Sequence, residues 1–177
     1  MDSRTRRKLW TVLRWVGYVL FVLLIYIFSE MPGFLQIGRI KPVLLIPCAM
    51  LIAIYEGEFA GGLCGVLCGL LMDLGGGRAI GFFAFFMLLL CVAAGLIFIY
   101  LVKLTLLTST LAVLAGGAAI EFIDYFFNYL IWGFEEGGII LFGTVLPMIL
   151  YTALFAPFFY WIVRRMHLFF DHKLLED

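Results

Sequence analysis

Apolar runs fill this chain almost from one end to the other, broken only by short stretches of charge, glycine or proline. A fold must either bury such runs or immerse them in lipid, and the composition leaves only the second course. Of 177 residues, 65% are hydrophobic and 14% charged, with a mean hydropathy of +1.13. That is too little polar surface to keep a protein of this size dispersed in water. In hydrocarbon, moreover, every backbone N–H and C=O must find a partner within the protein. The expected fold is therefore all-α: a polytopic membrane protein of about six transmembrane helices, forming one integral membrane domain over residues 1–177.

The runs place the spans near Leu13–Phe28, Val43–Tyr55, Phe59–Asp73, Ile80–Leu101, Leu104–Tyr129 and Ile139–Val163, with a short polar tail over 164–177. At 1.5 Å per residue the second and third reach only about 20 Å, against about 30 Å of hydrocarbon. Tilting, extension at their ends, or pairing as a re-entrant hairpin would each resolve the mismatch. The basic start and first apolar run lack a small-residue cleavage site, so this run is expected to be a retained span rather than a signal peptide. Arg4, Arg6, Arg7, Lys8, Arg14, Lys103, Arg164, Arg165 and Lys173 fall on one side of these spans, and only Arg39, Lys41 and Arg78 on the other. The excess marks the first side as cytoplasmic and puts both termini there. A formal net charge of zero gives no electrostatic case for nucleic acid as a partner.

In the third span Gly57, Gly61, Gly65 and Gly69 recur every four residues, with Ala60, Cys64 and Cys68 on the adjoining line. Such a stripe lets another backbone come close, which is how helices gain packing energy where lipid offers no hydrophobic drive. Its occupant is either an internal neighbour or a partner protein. A second small patch, Ala115-Gly116-Gly117-Ala118-Ala119, makes Gly116 and Gly117 of the fifth span candidate packing positions, and the two stripes could face each other. Cys48, Cys64, Cys68 and Cys91 lie inside apolar runs and read as small packing residues. His167 and His172 sit in the polar tail far from them, so neither a metal site nor a disulfide framework is expected.

Carboxylates in a membrane helix cost about 2.5–3.5 kcal/mol at its centre, so Asp73, Glu121 and Asp124 each need an explanation. Asp73 precedes Gly75-Gly76-Gly77-Arg78, where it either organises a helix end or pairs with Arg78 or Lys41. Glu121 and Asp124 are three apart and share a helix face. Counted from Leu104 they lie about 25 and 30 Å along the helix, at the level of Tyr125, Phe126, Phe127, Tyr129 and Trp132, rings suited to the outer interface. Lys41, Asp73, Arg78, Glu121 and Asp124 are thus either one outer-leaflet polar pocket or partner contact, or scattered interfacial residues. Pro42, Pro47, Pro147 and Pro157 are candidate helix kinks, the last two dividing the sixth span into pieces. Glu135-Glu136 with Gly137-Gly138 reads as a solvated outer turn.

No GxSxG elbow, HExxH motif or Walker loop occurs, and neither histidine is expected within the membrane to act with a carboxylate, so neither catalysis nor a cofactor is expected. The sequence Lys41-Pro42, followed by Gly61, Gly65 and Gly69, then Leu71-Met72-Asp73-Leu74-Gly75-Gly76 and Ile80-Gly81, resembles the MreD family of rod-shape-determining proteins. Leu146-Pro147 and Ala156-Pro157 before Arg164-Arg165 are also similar to it. One departure is Lys41-Pro42 where that family has Arg-Pro, which keeps the charge but loses bidentate pairing. The resemblance implies a multi-pass subunit of the bacterial cytoplasmic membrane that associates with MreC. Through the wider complex it would join MreB, a RodA-type glycosyltransferase and a class B penicillin-binding protein in peptidoglycan synthesis and cell shape, with membrane lipids around it. The family also resembles in fold the substrate-binding subunits of energy-coupling-factor vitamin importers, which supplies the alternative function.

Overall fold

The computed structural model describes residues 3–31, 33, 35–36, 40–76, 80–130 and 141–176, and these are almost wholly helical. In chain order the helices are α1 (Ser3–Glu30), α2 (Leu45–Glu56), α3 (Glu58–Gly76), α4 (Phe82–Tyr100), α5 (Leu106–Tyr125), α6 (Leu146–Leu154) and α7 (Ala156–Glu176). A π-helical turn, Phe126–Leu130, extends α5, and another, Leu141–Val145, leads into α6. Among the described residues, five helical stretches are long and apolar enough to cross a membrane: Leu9–Glu30, Glu58–Gly75, Phe82–Tyr100, Leu106–Asn128 and Leu141–Lys173.

The second expected span, α2, is the exception, and its surroundings explain why. It has 12 residues, about 18 Å of helix, and every side chain from Leu45 to Ile54 is buried. It packs against α3, α4, α5 and α7. A helix that is apolar all round suits either a protein core or lipid; at this length, and with its side chains covered by neighbouring helices, the short second run is a core helix rather than a lipid-facing one. The third run instead lengthens at both ends into the 19 residues of α3.

Glycines set how closely these helices meet. Gly57, at φ +89°, closes the turn between α2 and α3, a conformation costly for any residue with a Cβ. One turn on, Gly61 lies against the Ala53 backbone of α2. Gly65 and Gly69 face α4: a Cβ at Gly65 would stand 2.7 Å from the Met87 carbonyl oxygen, and one at Gly69 would strike the Ala84 backbone. Gly95 of α4 answers from the other side, with Glu58 Cα 2.8 Å from where its Cβ would be. The stripe is thus divided between two internal neighbours. Nor do the two small-residue patches face each other. Gly116 and Gly117 of α5 look onto Met50 and Ile46 of α2, so α2 comes between them.

Two further expectations change. Pro47 falls in the first turn of α2 and Pro42 ahead of it, where a missing N–H breaks no ladder, so neither kinks a helix. Pro147 opens α6, and Pro157 follows the interruption at Phe155 that separates α6 from α7. The expected polar tail is helix: α7 runs to Glu176 without a break. Throughout, α1 lies antiparallel to α7, with Gly17 against Phe170 and Phe21 against Phe159. The start of α1 and the end of α7 therefore share one end of the fold, hereafter the terminal end.

Replacing Gly69 by Leu should unseat α4 and lower the thermal midpoint in detergent, overpacking of this kind costing about 1–3 kcal/mol or more. Gly143→Ala, where an added Cβ meets nothing within 4 Å, should leave the midpoint unchanged. Equal melting of the two variants would remove the glycine contacts from the account of the fold.

Candidate functional site

At the end opposite the termini, α1, α3 and α5 converge on the segment leading into α2. The Val43 N–H donates to Thr152 Oγ1 at 3.0 Å, tying that segment to α6. Beside it opens a cavity of about 370 Å³ lined by Glu30, Lys41, Pro42, Met72, Phe83, Glu121, Asp124 and Met148, among others. Lys41, Glu121 and Asp124 thus share one pocket. Glu121 is buried, at 6% exposure, and Asp124 accepts a bond from Asn128 Nδ2 at 2.7 Å. Arg78 lies outside the described residues, as do Arg39, Trp132 and the Glu135–Gly138 turn.

Asp73 does not join them. It is 1% exposed, and its carboxylate accepts from the backbone N–H groups of Gly81, Phe83 and Ala84 at 2.8, 3.0 and 3.4 Å. Those donors belong to the first turn of α4, which lacks helical acceptors and carries the positive end of the helix dipole. Gly81, at φ +102°, turns the chain so that a side chain ending α3 can cap α4. Asp73 is therefore a structural cap rather than a pocket wall.

At the terminal end lies a cluster that the sequence analysis passed over. Arg14 of α1 donates from Nε to Glu56 Oε1 at 3.0 Å, its Nη2 pairs with Glu56 Oε2, and its Nη1 reaches Asp171 Oδ1 at 3.0 Å. Tyr18 donates its hydroxyl to Glu56 Oε1 at 2.6 Å. His167 presents Nδ1 to Glu56 Oε1 at 2.8 Å and Nε2 to Asp171 Oδ2 at 3.3 Å. One guanidinium faces two carboxylates, and the ring presents one nitrogen to each. The cluster pins α1, which otherwise shows a mostly exposed apolar surface, onto the end of α2 and the middle of α7. It also gives His167 of the expected tail two carboxylate partners. The signal available in the sequence was Arg14 inside an apolar run and Glu56 between two such runs, charges that need partners in a membrane protein.

The 115–119 patch is likewise split. Gly116 and Gly117 are buried against α2, whereas Ala115 and Ala119 are exposed. With Ala118 they floor an apolar notch of about 470 Å³ between α5 and α6, walled by Phe122, Val145, Leu146 and Ile149. The four cysteines are buried free thiols, and the described residues contain no group of three or more His, Cys, Asp or Glu able to hold a metal ion.

No family model matches the chain, and no curated protein or solved structure is significantly similar to it. The resemblance to MreD accordingly rests on the short motifs and on size and span pattern alone.

Glu56→Ala leaves Arg14 only the more exposed Asp171 and should cost about 1–3 kcal/mol; Arg14→Met with Glu56→Leu should recover most of it, read as thermal midpoints in detergent. Additive losses in the double variant would mean the pair is not coupled. Asp73→Ala should cost about 1–3 kcal/mol through its three orphaned donors, and hydrogen exchange should rise at the first turn of α4. Unchanged exchange there would refute the capping role.

Proposed function

We propose that this chain is a non-catalytic scaffold or regulatory subunit of the bacterial cell-elongation machinery. It sits in the cytoplasmic membrane with its terminal end inside and binds the transmembrane segment of an MreC-type partner. Through that partner it supports the MreB-linked complex of RodA-type glycosyltransferase and class B penicillin-binding protein in peptidoglycan synthesis. The motifs around Asp73 suggest this family, and the apolar notch between α5 and α6 carries the reading. The Gly61–Gly65–Gly69 stripe is occupied by α2 and α4, so it offers nothing to a partner. The Ala115, Ala118 and Ala119 floor is open, and a small-residue floor between larger walls suits a single apolar helix.

The pocket at the far end favours a second reading, the substrate-binding subunit of a vitamin importer of the energy-coupling-factor type. Its 370 Å³ volume and the convergence of Lys41, Glu121 and Asp124 are of the kind a small polar ligand uses.

Co-expression with a candidate MreC, detergent purification and intact-mass analysis of everything that elutes separate the two. The scaffold reading expects a stoichiometric MreC band, and Ala115→Leu with Ala119→Leu should cut its recovery about tenfold by filling the notch while the chain stays monodisperse. A bound vitamin without MreC would favour the importer, and full MreC recovery by the double variant would place the partner elsewhere.

A further inference from the structure

The outward strip of α7 combines two chemistries that no single bulk phase satisfies. Trp161, Leu168 and Phe169 are 59%, 56% and 56% exposed; Arg164 and Arg165 are exposed beside them, with Lys173 more than two turns beyond the arginines along the helix. These residues fall at helical spacing on one face and line a shallow depression of about 590 Å³. The opposite face, carrying Phe159, Val163 and Phe170, is buried in the protein.

In water, three large apolar side chains would lie uncovered; in hydrocarbon, the cations would be costly. The headgroup layer answers both demands, with rings at the carbonyl level and Arg and Lys heads at the phosphates. Arg165 is already seated, its guanidinium 5.3 Å from the centre of the Trp161 ring. Cation–π stacking over that face leaves the planar edge free to fork onto a phosphate. The same face continues toward the membrane interior through Phe158 and Leu154, both exposed, and the first turns of α1 bring Arg4, Arg6, Arg7 and Lys8 to this end of the fold.

We infer that the Trp161–Arg164–Arg165–Leu168–Phe169–Lys173 strip binds an anionic phospholipid, its phosphate on the guanidinium pair and its acyl chains along the apolar side chains. The site is independent of any partner at the α5–α6 notch. It holds α7, and through His167 and Asp171 the Arg14 cluster, at the depth of the headgroups.

The test is reconstitution of the full chain into vesicles of equal parts phosphatidylglycerol and phosphatidylcholine, followed by gentle extraction and native mass spectrometry of retained lipid. Wild type should keep phosphatidylglycerol in preference to phosphatidylcholine. Each cation removed should lower that retention roughly fivefold, and Arg164→Gln with Arg165→Gln therefore about 25-fold, with the elution profile unchanged because both side chains are exposed. Lys103→Gln, which removes an exposed cation outside the strip, should leave retention as it was. Equal retention of the two lipids, an equal loss in Lys103→Gln, or displacement of the lipid by excess inorganic phosphate would each overturn the assignment. So would retention of an acidic protein on the strip in place of lipid.

Discussion

An apolar helix too short to reach both faces of a bilayer needs protein around it, and α2 imposes that condition on the rest of the chain. Its 12 residues are too few to bridge a bilayer unaided, so α3, α4, α5 and α7 close around it. The glycines follow from the same demand. Gly57 lets the chain reverse at once after α2, Gly61 brings α3 against its flank, and Gly116 admits α5 from the other side. Packing of this closeness takes the place of the hydrophobic drive that lipid does not supply.

Once the centre is filled with apolar side chains, charge is confined to the two ends, and each end handles it differently. At the terminal end, Arg14, Glu56, His167 and Asp171 pair with one another across three helices. At the far end, Asp73 is spent on the first turn of α4, while Lys41, Glu121 and Asp124 stand around a cavity. Polar side chains grouped around open volume suit a ligand or a partner's polar segment, whereas those in a closed cluster hold helices together. The contrast explains why the first cluster serves the fold and the second is a place where chemistry from outside could enter.

The helices were legible because apolar runs punctuated by charge admit one reading in lipid. The meeting of Gly65 and Gly69 with a close neighbour was legible because a four-residue period of small residues puts them on one face. The depth argument put Glu121 and Asp124 at the same level, and they do share a pocket with Lys41. What could not be read was the destination of side chains whose partners are remote or depend on a turn. Glu56 meets His167, 111 positions away, and as a lone charge between two apolar runs it looked like punctuation. Asp73 finds its donors only after Gly81 has adopted its positive φ. The shortness of α2 was visible, but its cause, enclosure by helices made later in the chain, was not.

That enclosure bears on how the molecule is made. Chains emerge at about 5–20 residues per second, so α2 leaves the ribosome several seconds before α4, α5 and α7 exist to cover it. During that interval its protein neighbours are α1, made before it, and α3, joined to it through a single glycine. The tight hairpin is then more than a connection: it is the escort that carries a segment too short to hold its own place until the later helices arrive. The protein's final centre is thus made before most of the helices that enclose it.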